Sequence, residues 1–437
     1  MLFANIGSNT TDMASSMETR HKVEAGLARR YRREKLFQFA GMIATTVGVV
    51  FLGVFFVDLF AKGTSAFVQT HIQLDVEFDA DVIAPGGELD ITYADFDGLV
   101  RAALRREFPG VTGRSDRREL YRLASVGAGY QMQDMIEADP ELLGTAQTIW
   151  VPASSTVDML IKGNIDPTID ESLRPLSDAQ IMWVETLRES GKLDTPFNSA
   201  LFSNGDSREP ELAGIKGALM GSFYMLIVTV VLAFPIGVAA AIYLEEFAPR
   251  SRWSDLIEVN INNLAAVPSI VFGLLGLAVF INWASIPRSA PLVGGLVLSL
   301  LTLPVIIIAS RAAIKAVPPS IREAALGLGA SKMQVVFHHV IPLALPGMLT
   351  GTIIGMSRAL GESAPLLMIG MVAFIVDVPG SFTDPATALP VQVYLWADSP
   401  ERAFAKRTSA AIIVLLGFLL VMNLTAVIIR KRMERKW

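Results

Sequence analysis

Arg358, Glu362 and Ser363 are the residues whose types and spacing point most directly to chemistry. They stand in the run Arg358-Ala-Leu-Gly-Glu-Ser-Ala-Pro365, inside a long apolar stretch. Arg358 and Glu362 are four apart, so a helix sets them on one face. A charge near the centre of a bilayer costs about 2.5–3.5 kcal/mol on insertion scales, so the pair needs a reason to be there. Two readings follow. One is a mutual salt bridge that glues helices. The other is a lining for an anion path, in which the arginine compensates a desolvated oxyanion. Other chemistry is scarce. The chain has no cysteine and four histidines, and only His338 and His339 are neighbours, which reads as interface packing rather than a metal site. No Gly-rich phosphate loop is present, so any ATP used would be bound by another chain. No metal and no cofactor is expected on this chain.

The elements that must hold these residues are membrane spans. The chain has 437 residues, 52% of them hydrophobic and 18% charged, with a mean hydropathy of +0.46. That mixture predicts a membrane body with a soluble part. A helical span needs about 20 apolar residues. Six segments qualify: 36–60, 215–244, 256–281, 291–313, 343–375 and 408–429. The first, with no small-residue cleavage site after it, reads as a retained anchor. Arg29, Arg30, Arg32, Arg33 and Lys35 precede it, and Arg430, Lys431, Arg432, Arg435 and Lys436 follow the last. Basic flanks mark the cytoplasmic side, so both termini are expected there. Arg402, Lys406 and Arg407 sit before the last span, on the outer side, against that rule. In the fifth segment Gly347, Gly351, Gly355 and Ala359 recur every four residues, a stripe that lets helices approach closely. Pro235, Pro268 and Pro304 interrupt other spans.

Charge separates one block from the rest. Residues 61–211 hold 26 Asp and Glu against 13 Lys and Arg, while the remainder holds 16 against 24. The block reads as a folded α+β domain. Residues 73–84 alternate like a strand, with Leu74, Val76 and Phe78 against Asp75, Glu77 and Asp79. Residues 95–108 place Phe96, Leu99, Val100, Ala103, Leu104 and Phe108 on one helical face, capped by Thr92 with Asp95. Ser177-Asp-Ala-Gln180 is a capping box, and Gly191 would close its helix. No catalytic constellation is evident there, so a docking or packing role is expected.

Between the fourth and fifth spans lies Arg322-Glu-Ala-Ala-Leu-Gly-Leu-Gly-Ala-Ser-Lys-Met-Gln-Val-Val-Phe-His-His-Val-Ile-Pro342. Pro319 suits a helix start, with Ser320 available to cap. Gly329 allows the chain to turn without a Cβ. A second short helix over 331–340 would be closed by Pro342. Such a helix-Gly-helix hairpin fits a groove on a partner.

These residues resemble the signature of permease subunits of ABC importers: Glu323, Ala324, Ala325, Gly329 and Pro342, with Arg322 before them. His339 departs from the family's usual apolar residue. Val267-Pro-Ser-Ile-Val-Phe-Gly273, Leu303-Pro-Val305, Ala316-Val-Pro-Pro-Ser-Ile-Arg-Glu-Ala-Ala325, Arg358 to Leu367 and Leu389-Pro-Val-Gln-Val-Tyr394 are similar to phosphate-importer permeases of the PstA type. The likeness covers about residues 210–437. Ser363 stands where that family commonly has Thr.

The resemblance implies an all-α membrane protein of about six transmembrane helices of the type I ABC importer kind, plus the α+β extracytoplasmic domain inserted after the first. The organisation is then a basic N-terminal segment 1–35, helix 36–60, soluble domain 61–211, permease core 212–430 with coupling loop 318–342, and a basic tail 431–437. The expected setting is a bacterial inner membrane. The expected partners are a second related permease subunit, two copies of a cytoplasmic ATPase that uses ATP and Mg, and an extracytoplasmic phosphate-binding protein. No nucleic acid is expected. Arg358 and Glu362 then gain a role. Phosphate near neutral pH keeps a proton that it can donate to a carboxylate and sulfate does not, so the pair would favour phosphate. Rival readings are a permease for sulfate or molybdate, and a membrane sensor of phosphate status. A sensor would need a cytoplasmic output domain, and only about 35 residues precede the first span.

Overall fold

The computed structural model describes residues 7–83, 91 and 94–433, so Ala84, Thr92, Arg435 and Lys436 lie outside the described residues. The chain divides into two units, Met1–Ala61 and Lys62–Trp437. The first is the body of one helix, α1 (Gly7–Gly63). Its apolar part falls within the candidate span Arg29–Phe67. Val47, Phe51 and Val57 are exposed on it. An apolar helix with its side chains uncovered needs lipid or protein around it.

The second unit opens with a soluble-type layer. A sheet of three strands, in the order β2-β1-β3, comprises β1 (His71–Glu77), β2 (Ala146–Pro152) and β3 (Leu193–Asp194), all antiparallel to β1. Around it lie α2 (Ala80–Ile83), α3 (Phe96–Glu107), α4 (Arg114–Tyr121), α5 (Gly127–Ala138), α6 (Ser155–Ile161), α7 (Asp178–Glu189) and α8 (Ala200–Ser203). The period-two pattern holds: Ile72, Leu74, Val76 and Phe78 are buried against Leu99, Leu104, Trp183 and Leu187. The strand ends earlier than the alternation suggests. The Asp79 side chain accepts the Asp81 N–H at 2.9 Å and turns the chain into α2. The N-cap of α3 is Asp95 itself, accepting the Gly98 N–H, rather than the expected Thr92 with Asp95 as its partner, and the Ser177–Gln180 capping box is formed. Gly191 closes α7 with φ of +70°, where only a residue without a Cβ is unstrained.

The rest is helical. It comprises α9 (Lys216–Ile242), α10 (Arg252–Ala265), α11 (Ser269–Gly276), α12 (Pro291–Lys315), α13 (Pro319–Gly327), α14 (Lys332–Val335), α15 (Ile341–Gly361), α16 (Ala364–Met368), α17 (Leu389–Ala397) and α18 (Phe404–Met433). Among the described residues five helices are long and apolar enough to cross a membrane, and a bent pair makes up to six. That pair covers the span expected over 256–281, and the interruption expected at Pro268 falls between its two helices. Arg252–Ala265 and Ser269–Trp283 meet at 99°. Pro268 has no N–H to continue the ladder and pushes Val267 out of the helical region. Pro235 and Pro304, in contrast, sit inside uninterrupted α9 and α12. The fifth segment is also shorter than 343–375: α15 stops at Gly361 with Glu362 as its C-cap, and α16 is separate.

The glycine stripe does what its spacing suggests. A Cβ built on Gly347 or Gly351 would stand 2.7 or 2.2 Å from the Cβ of Ala313 or Ala309, so α15 and α12 touch nearly backbone to backbone. The soluble layer is fastened to the helices at the start of α18. Buried Arg407 donates from Nη1 to the Ala213 carbonyl at 3.1 Å, and from Nη2 to Gln69 Oε1 and the Glu211 carbonyl, both at 3.2 Å. Beside it Lys162 donates to the Val68 carbonyl at 2.7 Å and to Asp158 at 2.6 Å. Asp158 in turn accepts from the Thr70 N–H and hydroxyl. One of the three cations that precede the last span is thus consumed by a buried joint.

Candidate functional site

Arg358 and Glu362 are brought together at the end of α15, but loosely. Arg358 Nε lies 3.6 Å from Glu362 Oε1, too far for a hydrogen bond, and the side chains are 53% and 22% exposed. A salt bridge so open glues little. The helix explains the openness. Gly351, Gly355 and Ala359 bury one face of α15, while Ile354 and Arg358 stand on a face that this chain leaves uncovered. Ser363 is the N-cap of α16, where its carbonyl accepts the N–H groups of Leu366 and Leu367, and the residue is part-exposed. Gly273 of α11 holds this turn close: a Cβ there would lie 2.8 Å from Pro365. Nearby, Ser357 Oγ donates to Asn423 of α18 at 2.7 Å, tying the last helix to the same turn. The three expected site residues therefore share one small, solvent-accessible region.

The second group forms the loop over 318–342. α13 starts at Pro319 with Pro318 at its N-cap, and Ser320 makes no side-chain cap. Gly329 turns the chain with φ of +84°. Ser331 and Gln334 form a capping box that opens α14. From there the chain runs without a break from Lys332 to Gly361, through a wider turn at Val336–Val340. This corrects the expectation that Pro342 closes a second short helix. Pro342 falls in the first turn of α15, and the wide turn before it relieves the missing N–H and the ring's clash with the preceding carbonyls. Glu323 and Ala324 are exposed, whereas Ala325 is buried under α13. Leu328, at the tip, is 90% exposed. His338 is exposed and His339 part-buried, and no group of three His, Cys, Asp or Glu able to hold a metal occurs among the described residues.

Arg322 does not face outward with Glu323. Its Nη2 and Nε donate to Glu246 Oε1 at 2.9 and 3.2 Å, its Nη1 to the Val317 carbonyl at 2.6 Å, and its Nη2 to the Ile314 carbonyl at 2.9 Å. A parallel set ties the neighbouring helices. Arg311 of α12 donates to Glu245 at 2.5 Å and to Glu258 of α10 at 2.8 Å, with Lys315 3.4 Å from Glu245. Sequence reasoning missed this network. The signal was present in the tandem Glu245-Glu246 at the end of the second apolar segment and in Arg311 near the end of the fourth. Two adjacent carboxylates there imply cationic partners on the next helices. The arrangement makes α13 a lever bolted to α9 and α12, with Glu323, Leu326 and Leu328 free on its outer side.

Residues 233–437 match the family described as binding-protein-dependent transport system inner membrane component. Residues 24–171 match a domain of unknown function, DUF3333. Over 217 residues the chain is 33% identical to the phosphate transport system permease protein PstA 1 of Mycobacterium tuberculosis, covering 50% of this chain and 70% of that one. The chain belongs to the binding-protein-dependent transport permeases. The PstA of Haemophilus influenzae is 30% identical over 224 residues, covering 51% of this permease and 78% of its own length. The probable ABC transporter permease protein YqgI of Bacillus subtilis is 37% identical over 155 residues, and the match spans about half (52%) of its length. A solved structure titled as inward facing conformations of the MetNI methionine ABC transporter overlays 49% of this permease and 95% of its own chain, at 20% identity and a TM-score of 0.40. The protein is thus a transmembrane permease subunit of an ABC importer rather than an enzyme, and ATP hydrolysis belongs to a separate subunit.

Proposed function

We propose that this permease serves an ATP-driven importer of inorganic phosphate and forms half of the translocation pathway. The observation that carries the reading is the uncovered face of α15, on which Arg358 stands, ending at Glu362 with Ser363 next in the chain. A second, related permease subunit would cover that face and enclose the path. Within it, Arg358 would hold an oxyanion and Glu362 would accept the proton that hydrogen phosphate retains. The relatives named as phosphate permeases support the same substrate. The exposed side of α13, with Glu323 and Leu328, would dock on the cytoplasmic ATPase, of which two copies with ATP and Mg power the cycle. Arg322 and Arg311 would carry the movement into α9, α10 and α12. In this reading both termini and the loop 318–342 are cytoplasmic, the domain over 61–211 is extracytoplasmic, and an extracytoplasmic phosphate-binding protein delivers the ion.

The test is uptake of radiolabelled phosphate by cells lacking their own permease and supplied with this chain and its partner genes. The reading expects uptake that excess sulfate and molybdate leave unchanged. Uptake abolished by sulfate would transfer the substrate assignment to that anion.

A further inference from the structure

The soluble layer carries a concentration of charge that the transport reading does not use. Residues 61–211 are acidic overall, yet seven of their 13 cationic residues lie between Arg101 and Arg122. Some of the seven are spent on structure: Arg106 pairs with Glu77 at 2.5 Å, and Arg117 donates to the Val111 carbonyl at 3.1 Å. Arg114 and Arg118 are four apart on α4, and Arg122, four further on, is its C-cap. All three are exposed, and none forms an ion pair with a described residue. Across from them on α3, Arg101 reaches its nearest carboxylates, Asp97 and Asp95, only at 3.5 and 3.8 Å, and Arg105 donates to the Tyr121 hydroxyl at 3.2 Å. Arg101, Arg118 and Arg122 line one cleft of about 380 Å³ together with Tyr121, Ser125 and Asp97. α5, twelve residues long, opens at the same cleft through Val126. Its first amides are already taken, Gly127 N–H by Ser125 Oγ at 3.1 Å and Ala128 and Gly129 N–H by the Ser125 and Val126 carbonyls, so the arginines alone supply the positive charge.

Three guanidinium groups around one concavity repel each other unless an anion joins them. Each presents a planar fork that matches two oxygens of an oxyanion. Among the described residues Asp97 is the sole acid in the lining, and it gives the cleft a preference. It repels a fully ionised sulfate, whereas hydrogen phosphate has a proton to donate to it. We propose that this cleft is a second oxyanion site, in the soluble domain, that binds inorganic phosphate. The arginines carry the oxyanion assignment by themselves; the choice of phosphate rests on the transport reading. Because Arg407 fastens the domain to α18, a phosphate held here is held on the transport unit itself.

The experiment is calorimetric titration of the full-length protein in lipid nanodiscs with inorganic phosphate, then with sulfate, at low ionic strength. Three forms are compared: wild type, Arg118→Glu with Arg122→Glu, and Arg188→Glu, a charge reversal in the same domain outside the cleft lining. The expected result is phosphate binding weakened at least about tenfold by the double substitution and left within about twofold by Arg188→Glu. Asp97→Asn is expected to narrow the preference for phosphate over sulfate while keeping the fold. Arg118→Lys with Arg122→Lys keeps the charge without the fork and is expected to fall between wild type and the glutamate variant. Phosphate binding that the double glutamate variant leaves unchanged overturns the site, as does a wild type that releases no more heat than buffer. Absence of phosphate binding by the wild-type protein, with intact cellular uptake, would sink the cleft and spare the transport reading. Binding that depends on Arg118 and Arg122 in a chain that imports no phosphate would do the reverse.

Discussion

Replacing Arg407 by alanine should loosen the whole joint between the soluble layer and the helices. The wild-type side chain is 6% exposed and makes three hydrogen bonds, to Gln69 Oε1 and to the carbonyls of Glu211 and Ala213. Those acceptors come from two separate segments, and Gln69 and Glu211 are themselves buried. A hydrogen bond to a charged donor contributes about 1.5–3 kcal/mol, and acceptors left buried without a partner each cost about 1–3 kcal/mol. These contributions are not additive, since all three acceptors share one donor. Three buried acceptors at about 1–3 kcal/mol each, less than additive, put the expected loss for Arg407→Ala at about 4 kcal/mol. Arg407→Lys retains the charge but cannot reach acceptors on both sides at once, and about half that loss is expected. The assay is thermal unfolding of the purified protein in detergent, paired with limited proteolysis. At about 2–4 °C per kcal/mol for a unit of this size, the alanine variant should melt about 8–16 °C lower. Proteolysis should become faster in the connection over 204–215. A melting temperature within about 2 °C of wild type, with unchanged cleavage, would refute the reasoning.

Three further outcomes follow from the same contacts. Gly351→Leu puts a Cβ 2.2 Å from Ala309 Cβ, where carbon pairs rest at about 3.5–4.0 Å, so α12 and α15 must part by about 1.5 Å; uptake should be lost while Gly417→Ala, with open space around it, transports normally. Arg322→Ala removes four hydrogen bonds from a part-buried side chain, a loss of about 2 kcal/mol, and amide exchange over 319–327 should accelerate roughly 30-fold; unchanged protection there would contradict the lever. Burial, with no partner for its Oε2, pushes the Glu211 carboxyl above its ordinary value of 4.5. A raised pKa means that the folded protein holds the proton more tightly than the unfolded chain, so this contribution is full below about pH 4.5 and is lost as pH rises through the raised value. Glu211→Gln should therefore raise the melting temperature more at pH 8 than at pH 4, and an equal gain at both would count against it.

The sequence was most readable where one local rule decides the outcome. The Ser177–Gln180 capping box, the buried face of α3, the turn at Gly329 and the glycine stripe of α15 each depend on a few neighbours. It was least readable where the deciding group is distant in the chain. Whether a proline breaks a span is one case. Pro268 bends the chain by 99° whereas Pro235 and Pro304 stay inside continuous helices. Hydrophobic pattern does not distinguish the three, because surrounding helices settle where the freed carbonyls find partners. Pro342 is another case, absorbed by a wide turn that no residue type announces. The anchors Glu245 and Glu246 were overlooked because their partners, Arg311 and Arg322, are 66 and 76 residues away. Arg407 was counted as a loop cation because burial is invisible in a charge tally. For the candidate site, the sequence named the residues Arg358, Glu362 and Ser363, but not that their face of α15 stays uncovered.

The most direct measurement is ATP-driven phosphate uptake by proteoliposomes holding the full transporter, with ATP hydrolysis followed in the same vesicles. Wild type, Arg358→Ala and Glu323→Lys are compared. The account predicts that both variants lose at least about 90% of uptake, equivalent to at least about 1.4 kcal/mol. Arg358→Ala, which leaves the loop docked, should keep substrate-independent hydrolysis, and Glu323→Lys should lose it. Wild-type rates of phosphate uptake in Arg358→Ala would contradict the claim that the uncovered face of α15 lines the path.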